Sequence, residues 1–337
     1  MTRLPALDGL RALALLCVMA FHFVPPLEHV SALGSVGVRV FFVLSGFLIT
    51  RILLASRSQA LSVALPSFYL RRGLRILPVF YAVLAIAWLL NIGPVRQTIG
   101  WHVSYLTNVY LFERQAWHGS ISHLWSLAVE QQFYLVWPFV ILLTPERWLP
   151  AVIVLAIGLA PASRLVVGGP MNSVLATSCL DSLGAGALLA FPRLVRGSRR
   201  VGATVGIPLL IAAMALGMAG VDAVVCEVAF DFGVSLTAMW VVGAAAEGQA
   251  WPLLSWAPLT SIGTISYGAY LVHGFAPYLA GRYISGFMGM AWPLRAAILT
   301  TLTLVAAQAS WAWLESPLLA LKDRVGRRED LEQARAA

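Results

Sequence analysis

Apolar runs of about twenty residues recur along this chain, and a helix needs a run of that length to cross the hydrocarbon core of a bilayer. Of the 337 residues, 59% are hydrophobic and only 11% are charged, which a water-soluble protein of this size could not accommodate on its surface. The sequence therefore predicts an all-α fold, a polytopic transmembrane bundle of about ten helices. The predicted spans are residues 10–28, 35–54, 73–92, 124–143, 150–168, 174–192, 201–219, 228–246, 259–280 and 292–314.

The placement of basic residues predicts how these spans are oriented in the membrane. They cluster in three places that fall on one side of the membrane when the number of spans is even, and loops rich in arginine are typically cytoplasmic. Both termini are therefore predicted to be cytoplasmic, and these loops account for the net charge of +8 without a nucleic-acid partner. The clusters are Arg51, Arg57, Arg71, Arg72 and Arg75; Arg193, Arg196, Arg199 and Arg200; and Lys322, Arg324, Arg327 and Arg328.

The remaining organisation follows from shorter signals. Segment 98–112 is apolar and aromatic but short and interrupted by His102 and Asn108, which predicts an interfacial or re-entrant piece of an outer loop. Residues 1–319 are predicted to form one membrane domain, followed by a charged, disordered cytoplasmic tail at 320–337. The three scattered cysteines indicate neither a disulfide framework nor a metal site.

Two ionisable residues stand inside the first apolar run. Arg11 and His22 are eleven residues apart, which on a helix is about three turns and about 16 Å of rise, so both lie on one face at different depths. Ionisable side chains are costly in lipid and usually face a partner or an aqueous cavity. A lone histidine on an apolar helix is more often structural than catalytic, but its spacing from Arg11 favours a functional site with two ends.

A second polar segment, 122–134, leads from an outer loop into the fourth predicted span. Glu130 lies about two turns inside that helix. A carboxylate near a helix N-terminus is favoured by the helix dipole, which is the structural interpretation. The functional interpretation is that Glu130 and His22 meet in the outer half of the membrane, where the carboxylate would orient the imidazole and raise its basicity.

Arg72 and Arg75 begin the third predicted span. They are three residues apart, and neighbours on a helix face at this spacing can grip a phosphate together. Ordinary anchoring at the cytoplasmic interface is the alternative. With Arg11 at the same depth, three guanidiniums near one cytoplasmic mouth predict a polyanionic ligand such as a nucleotide-linked donor.

Other polar residues in apolar runs are open to two interpretations. Asp181 stands among small residues, so a structural hydrogen bond to a neighbouring helix is as plausible as a role in the site. His273 is predicted to be buried and to line the same cavity. Glu315 could anchor the last span at the cytoplasmic face, and Asp231 could lie at the outer interface.

Six motifs occur in order along the chain. They are LDGLR at 7–11 with His22, GVRVFFVLSGFLI at 37–49, RGLRILP at 72–78, WSLAVEQQFY at 125–134, SYGAYLVH at 266–273 and ESP at 315–317. Together they resemble the motifs of the membrane acyltransferase 3 family, and the resemblance covers residues 7 to 319.

The resemblance implies a ten-helix bundle that moves an acyl group, with acetyl as the default, from cytoplasmic acyl-CoA to a hydroxyl of a sugar-containing acceptor. It implies a place in the inner membrane of a bacterium, among lipids, and a function in modifying envelope carbohydrate. By position, Arg11 and His22 match the family's Arg-to-His pair, Arg72 and Arg75 its cytoplasmic arginine pair, and Glu130 the first acid of a Glu-Glu element. Gln131 departs from that element, since a second Glu is usual there.

The resulting hypothesis is an acyl-CoA-dependent O-acyltransferase without a metal. Arg11, Arg72 and Arg75 would bind CoA phosphates, and His22, supported by Glu130, would deprotonate the acceptor hydroxyl for direct attack. Ser45 and Ser126 are the alternative nucleophiles if an acyl-enzyme forms. Predicted substrate-binding residues are His123, Trp125, Ser126, Asp181, Tyr270 and His273.

Two rival functions remain at the level of sequence. One is a multi-pass transporter or exporter, in which the same His, Glu and Arg residues form a substrate or proton path without making a bond. Broken helices in two matching halves would support it, and the sequence has no such internal symmetry. The other is a catalytically silent scaffold for envelope-glycan assembly, which only Gln131 favours.

Overall fold

The computed structural model describes residues 4–28, 32–249 and 251–320. Within these ranges the chain is helical and contains no strand, so the predicted all-α class is confirmed. Eight of the described helical segments are long and apolar enough to cross a membrane. They are Pro5–Phe23, Leu33–Ala55, Leu61–Leu89, Gly119–Leu143, Glu146–Val167, Val195–Met218, Ala223–Ala246 and Trp292–Ala320.

The individual helices are numbered here in chain order. The first eight α-helices are α1 (Pro5–Phe23), α2 (Pro25–Glu28), α3 (Ala32–Ala55), α4 (Leu61–Leu89), α5 (Val95–Val103), α6 (Thr107–Arg114), α7 (Leu124–Leu143) and α8 (Leu149–Val167). The other eight are α9 (Leu180–Leu189), α10 (Val195–Val201), α11 (Ile207–Met218), α12 (Ala223–Ala246), α13 (Ala257–Thr264), α14 (Ser266–His273), α15 (Ala276–Tyr283) and α16 (Trp292–Ser310). Two π-helical segments extend these elements: Gly202–Gly206 joins α10 to α11, and Trp311–Glu315 follows α16.

Local chemistry sets several helix boundaries. α1 starts at Pro5, whose missing N–H costs nothing in the first turn, and it ends at Phe23, two residues before Pro25. α12 begins after Asp222, whose carboxylate accepts hydrogen bonds from the backbone N–H groups of Val224 and Val225 at 3.0 and 3.1 Å. These caps satisfy donors that a helix end otherwise leaves without partners.

Two of the ten predicted spans are not continuous helices. In place of 174–192 the structure has the ten-residue helix α9, preceded by irregular chain and short 3₁₀ turns. In place of 259–280 it has α13 and α14, which are separated at Ile265 and followed by α15. Hydropathy averages over a window and so does not register such breaks, which are tolerated where the freed backbone is buried within protein.

Small residues bring the central helices together. A Cβ added to Gly46 of α3 would lie 1.9 Å from the carbonyl oxygen of Leu183, and one added to Gly186 of α9 would lie 1.9 Å from that of Val43. On another face of α3, a Cβ on Gly37 would lie 2.6 Å from the carbonyl oxygen of Ala14. α3 is therefore held closely between α1 and α9, as membrane helices with small interface residues commonly are.

Segment 98–112 forms no helix long enough to cross a membrane, and its predicted interfacial or re-entrant position stays a prediction. It forms α5 and α6, joined through His102, which is fully buried. The hydroxyl of Thr98 donates to the carbonyl of Pro94, so it accepts from Nε2 of His102 at 2.8 Å, and Nδ1 accepts from Thr107 at 2.8 Å. Burial lowers the pKa of His102 to about 4, which keeps this ring neutral at neutral pH.

The predicted tail, 320–337, lies outside the described residues from position 321 onward. The described chain ends in helix at Ala320.

Candidate active site

A cavity of about 100 Å³ that opens to solvent lies between α1, α3, α4, α7 and α14. Its apolar walls come mainly from α3. The polar residues that line it are Arg11, Ser45, Arg72, Arg75, Ser126, Glu130, Tyr134, Ser266, Tyr267 and Tyr270. Five separate stretches of the sequence therefore contribute to one site.

The structure brings together the three arginines that the sequence singled out. Arg11 forms an ion pair with Asp8, one turn before it on α1, at 2.7 Å. Arg72 and Arg75 both line the cavity from α4, and neither forms an ion pair with any described residue. A membrane-embedded cavity with two guanidiniums that lack a carboxylate partner is suited to an anionic ligand.

Glu130 lies in this cavity and does not meet His22, so the predicted contact between the two is wrong. The hydroxyl of Ser45 donates to the Glu130 carboxylate, and Tyr134 in turn donates to Ser45 at 3.1 Å. Glu130 shares the cavity with Arg11, and Arg11 is about 16 Å along α1 from His22. The prediction failed because the distance of a residue from its helix end does not give its depth relative to another helix.

One end of the cavity is formed by Ser126 and Tyr270. Their hydroxyl oxygens are 2.6 Å apart, and both side chains are buried. Ser126 lies one turn from Glu130 on α7, and Tyr270 lies one turn from Ser266 on α14. The Tyr270 ring packs edge-on against Phe41 of α3, with ring centroids 5.8 Å apart. Two sequence-predicted substrate residues thus come into direct contact.

Three histidines form a cluster directly beyond this end of the cavity. The centroids of the His22 and His273 rings are 5.0 Å apart, and those of His273 and His123 are 4.8 Å apart. The Tyr270 ring is also 5.0 Å from that of His273, so the cluster and the cavity share this tyrosine. His123 and His273 are buried, whereas His22 is exposed.

Backbone carbonyls fix the orientation of each imidazole. Nδ1 of His22 donates to the carbonyl of Val18 at 2.9 Å, and Nδ1 of His273 donates to that of Tyr270 at 2.5 Å. Nε2 of His123 donates to the carbonyl of Leu271 at 3.0 Å. A carbonyl only accepts, so in each neutral ring the opposite nitrogen carries the lone pair. For His22 that basic nitrogen is Nε2.

Trp125 lies between the cavity wall and the segment that precedes α7. Its ring packs edge-on against Phe42, which lines the cavity, with centroids 6.0 Å apart. On its other side the exposed Trp117 ring is 6.5 Å away. The predicted substrate residue Trp125 thus supports the wall and is not itself part of the cavity lining.

Asp181 is not in the site. It is fully buried in an ion network, where it pairs with Arg164 at 2.7 Å and with Arg39 at 3.3 Å, and Asp231 pairs with Arg39 as well. This finding favours the structural interpretation of Asp181. The network lies on the side of α3 that faces α8, α9 and α12, and Ser35, Ser182 and Ser235 complete its hydrogen bonds.

Sequence reasoning overlooked Arg39 and Arg164. Both stand inside apolar runs, which is the same signal that identified Arg11. It also gave no role to Tyr134, whose hydroxyl completes the hydrogen-bond chain to Glu130.

Comparison with known proteins identifies the family. Residues 4–312 match the family model described as an acyltransferase domain. The chain belongs to that family. This confirms the resemblance drawn from the six motifs, and no solved structure matches the chain.

Similar curated proteins come from three bacterial species. The chain is 29% identical to the peptidoglycan O-acetyltransferase OatA of Listeria monocytogenes over 93% of its length, which is 55% of that protein. It is 27% identical to the putative peptidoglycan O-acetyltransferase YrhL of Bacillus subtilis (94% of the chain, 55% of that protein) and to O-acetyltransferase OatA of Staphylococcus aureus (94% and 57%). The chain spans about half the length of the curated relatives it matches.

Proposed function

We propose that this protein is an integral-membrane O-acyltransferase that moves an acyl group, normally acetyl, from acyl-CoA to a hydroxyl of a glycan. The observation that supports it most directly is a guanidinium-lined cavity with a histidine cluster beside the end formed by Ser126 and Tyr270. Membership of an acyltransferase family and the named activities of the relatives favour acetyl transfer to an envelope polymer.

The donor would occupy the cavity. CoA carries several phosphates and a long uncharged pantetheine arm. Arg72 and Arg75, which form no ion pair with a described residue, offer two guanidiniums on one helix face to such phosphates. Arg11, already paired with Asp8, would add a third contact. The arm would then run past Glu130 toward Tyr270, so that the thioester reaches the histidines. In this arrangement Glu130 organises the donor end of the cavity, through Ser45 and Tyr134.

The acceptor would approach from the other side of the membrane. His22 is the exposed member of the histidine cluster, and its Nε2 carries the lone pair that a general base requires. We assign the arginine end of the cavity to the cytoplasm, where acyl-CoA is made, and His22 to the outer face of a bacterial cytoplasmic membrane. Both termini are then cytoplasmic, as positive loops predict.

The reaction is a direct transfer. The acceptor hydroxyl oxygen forms a bond to the thioester carbon while its proton passes to Nε2 of His22. The C–S bond then breaks, and the thiolate of CoA takes up that proton, so acylated glycan and free CoA leave in equal amounts.

The test uses the purified full chain in lipid nanodiscs with radiolabelled acetyl-CoA and muropeptide or chitooligosaccharide acceptors. We expect release of free CoA that depends on the acceptor, with label in the glycan. His22→Gln should abolish transfer while acetyl-CoA still binds, and His102→Gln is the matched control, because His102 is buried with both ring nitrogens bonded outside the site. Undiminished transfer by folded His22→Gln protein would refute the mechanism.

A transporter is the second candidate, because the interrupted helix pair α13 and α14 has the kind of break that transporters place at binding sites. The two functions differ in whether the radiolabelled acetyl group ends in an ester of the acceptor. Proteoliposomes loaded with acceptor and supplied with acetyl-CoA outside should yield acylated acceptor if the protein is a transferase. Uptake of intact acetyl-CoA or acceptor, with no new ester, would replace the enzyme proposal with transport.

A further inference from the structure

The hydroxyl groups that line the cavity differ in whether their protons already donate to a nearby hydrogen-bond acceptor. Ser45 donates to the Glu130 carboxylate, Tyr134 donates to Ser45 at 3.1 Å, and Tyr267 donates to the carbonyl of Ile76 at 3.0 Å. Each of these protons already has a good acceptor. They are therefore available to a ligand only if an existing hydrogen bond breaks.

Ser126 and Tyr270 are different. Their two hydroxyls share one strong hydrogen bond, at 2.6 Å, in which either oxygen can donate. The proton left over has only the carbonyl of His123, at 3.3 Å from Ser126 and 3.4 Å from Tyr270, and both distances are long for an O–H donor. One hydroxyl proton of this pair is therefore free to bind a better acceptor.

The pair also lies where the thioester carbonyl of a bound donor would be placed. Ser126 and Tyr270 line one end of the cavity, and they are only 3% and 6% exposed, so bulk water does not compete for the proton. The Tyr270 ring is 5.0 Å from that of His273, which is itself 5.0 Å from that of His22. A carbonyl at this end would be adjacent to the histidine cluster.

We propose that the hydroxyl pair of Ser126 and Tyr270 binds the carbonyl oxygen of the acyl thioester and stabilises the negative charge that this oxygen acquires during transfer. The proposal rests on the proposed function and adds two catalytic residues to it. Attack by the acceptor oxygen moves the π electrons of the C=O bond onto this oxygen, and they return when the C–S bond breaks. The pair donates one hydrogen bond to this oxygen, because its other proton stays in the bond between the two hydroxyls. It transfers no proton, so His22 carries the only proton that moves.

Preorganised donors of this type are effective because their positions are fixed before charge develops. Tyr270 is held by Phe41 and by the histidine rings, and Ser126 lies within the first turn of α7. Removing one donor from a comparable site in other enzymes costs about 100-fold to 1,000-fold in kcat. An effect of that size is expected for the loss of either hydroxyl.

A binding experiment separates this role from packing without requiring turnover. The probes are two uncleavable CoA derivatives: the ketone in which a methylene replaces the thioester sulfur, and S-ethyl-CoA, which has no carbonyl. We expect the wild-type protein in nanodiscs to bind the ketone about fivefold to tenfold more tightly than the thioether. Tyr270→Phe keeps the ring but removes the hydroxyl. It should weaken binding of the ketone and leave binding of the thioether unchanged, so that the two affinities become similar.

Steady-state kinetics give the second readout. Tyr270→Phe and Ser126→Ala should each lower kcat about 100-fold and raise the KM for acetyl-CoA by no more than the fivefold to tenfold loss expected for the ketone. Ser126→Thr retains the hydroxyl and should restore most of the rate. Tyr81→Phe is the matched control, since Tyr81 donates to the carbonyl of Val103 outside the cavity, and its kcat should be unchanged.

The outcomes distinguish this proposal from the function on which it rests. If neither CoA derivative binds the wild-type protein, the donor assignment fails and the hydroxyl role fails with it. If both bind, and folded Tyr270→Phe protein keeps the preference for the ketone together with a normal kcat, acyl-CoA remains the donor but the hydroxyl proposal is overturned. A rise in KM alone would also overturn it, since that places Tyr270 in ground-state binding.

Discussion

The protein holds two groups of arginines within its apolar bundle, and they differ in charge balance. In the ion network, Arg39 and Arg164 meet Asp181 and Asp231, and all four side chains are at most 5% exposed. In the cavity, Arg72 and Arg75 form no ion pair with a described carboxylate, although Glu130 lines the same cavity. Buried charge that is balanced within the fold holds helices together, whereas positive charge without an ion-pair partner beside a cavity is available to bind an anionic ligand.

The largest effect should come from unbalancing the network. Asp181→Ala removes the carboxylate shared by Arg39 and Arg164 and leaves a buried positive charge, which costs about 3–5 kcal/mol of unfolding free energy. We expect protein that does not accumulate, or that unfolds at a much lower temperature by fluorescence-monitored melting in detergent. A melting temperature within a few degrees of wild type would mean that the network is not structural.

In the cavity, the same kind of change should affect ligand binding instead of stability. Arg72→Ala and Arg75→Ala should each weaken acetyl-CoA binding about 10-fold to 100-fold, because each removes a charge-assisted contact worth about 1.5–3 kcal/mol. Isothermal titration of purified protein measures the affinity, and thermal melting checks the fold. Arg196→Ala is the surface control. Normal affinity in both cavity variants would assign these arginines to interfacial anchoring.

Paired substitution sharpens the contrast further. Arg39→Met alone should destabilise strongly, whereas Arg39→Met with Asp231→Leu should recover most of the loss and return to within about 1–2 kcal/mol of wild type, since an apolar pair replaces an ion pair. Melting temperatures of the two single variants and the double variant give the coupling directly. Additive losses would show that Asp231 supports the fold independently of Arg39.

The smallest effect should be that of salt. Raising ionic strength from about 0.05 M to 0.5 M should weaken acetyl-CoA binding severalfold, because the cavity is open to solvent and its guanidiniums are screened. The buried network should be nearly insensitive, so the melting temperature without ligand should stay within a few degrees. If salt acts on stability and leaves donor affinity unchanged, the assignment of the two regions is reversed.

Most charged residues of the site could be predicted from the sequence, but the contacts between them could not. Arg11, Arg72, Arg75 and Glu130 were each identified from an ionisable group in an apolar run or from a motif, and all line one cavity. The expected partner of Glu130 was wrong, since it bonds Ser45 and not His22. The sequence allowed either a structural role or a site role for Asp181, and only its contacts with Arg39 and Arg164 favour the structural role.

The sequence by itself determined the helical membrane fold and the placement of Arg11 and His22 on one face about 16 Å apart, because backbone hydrogen bonds between near neighbours set helix geometry. The tertiary structure alone decided that Glu130 joins the arginines, that Tyr270 separates them from the histidines, and that spans near Asp181 and Ile265 are interrupted. Those arrangements depend on how far each helix slides along its neighbours, which close contacts at residues such as Gly46 and Gly186 fix.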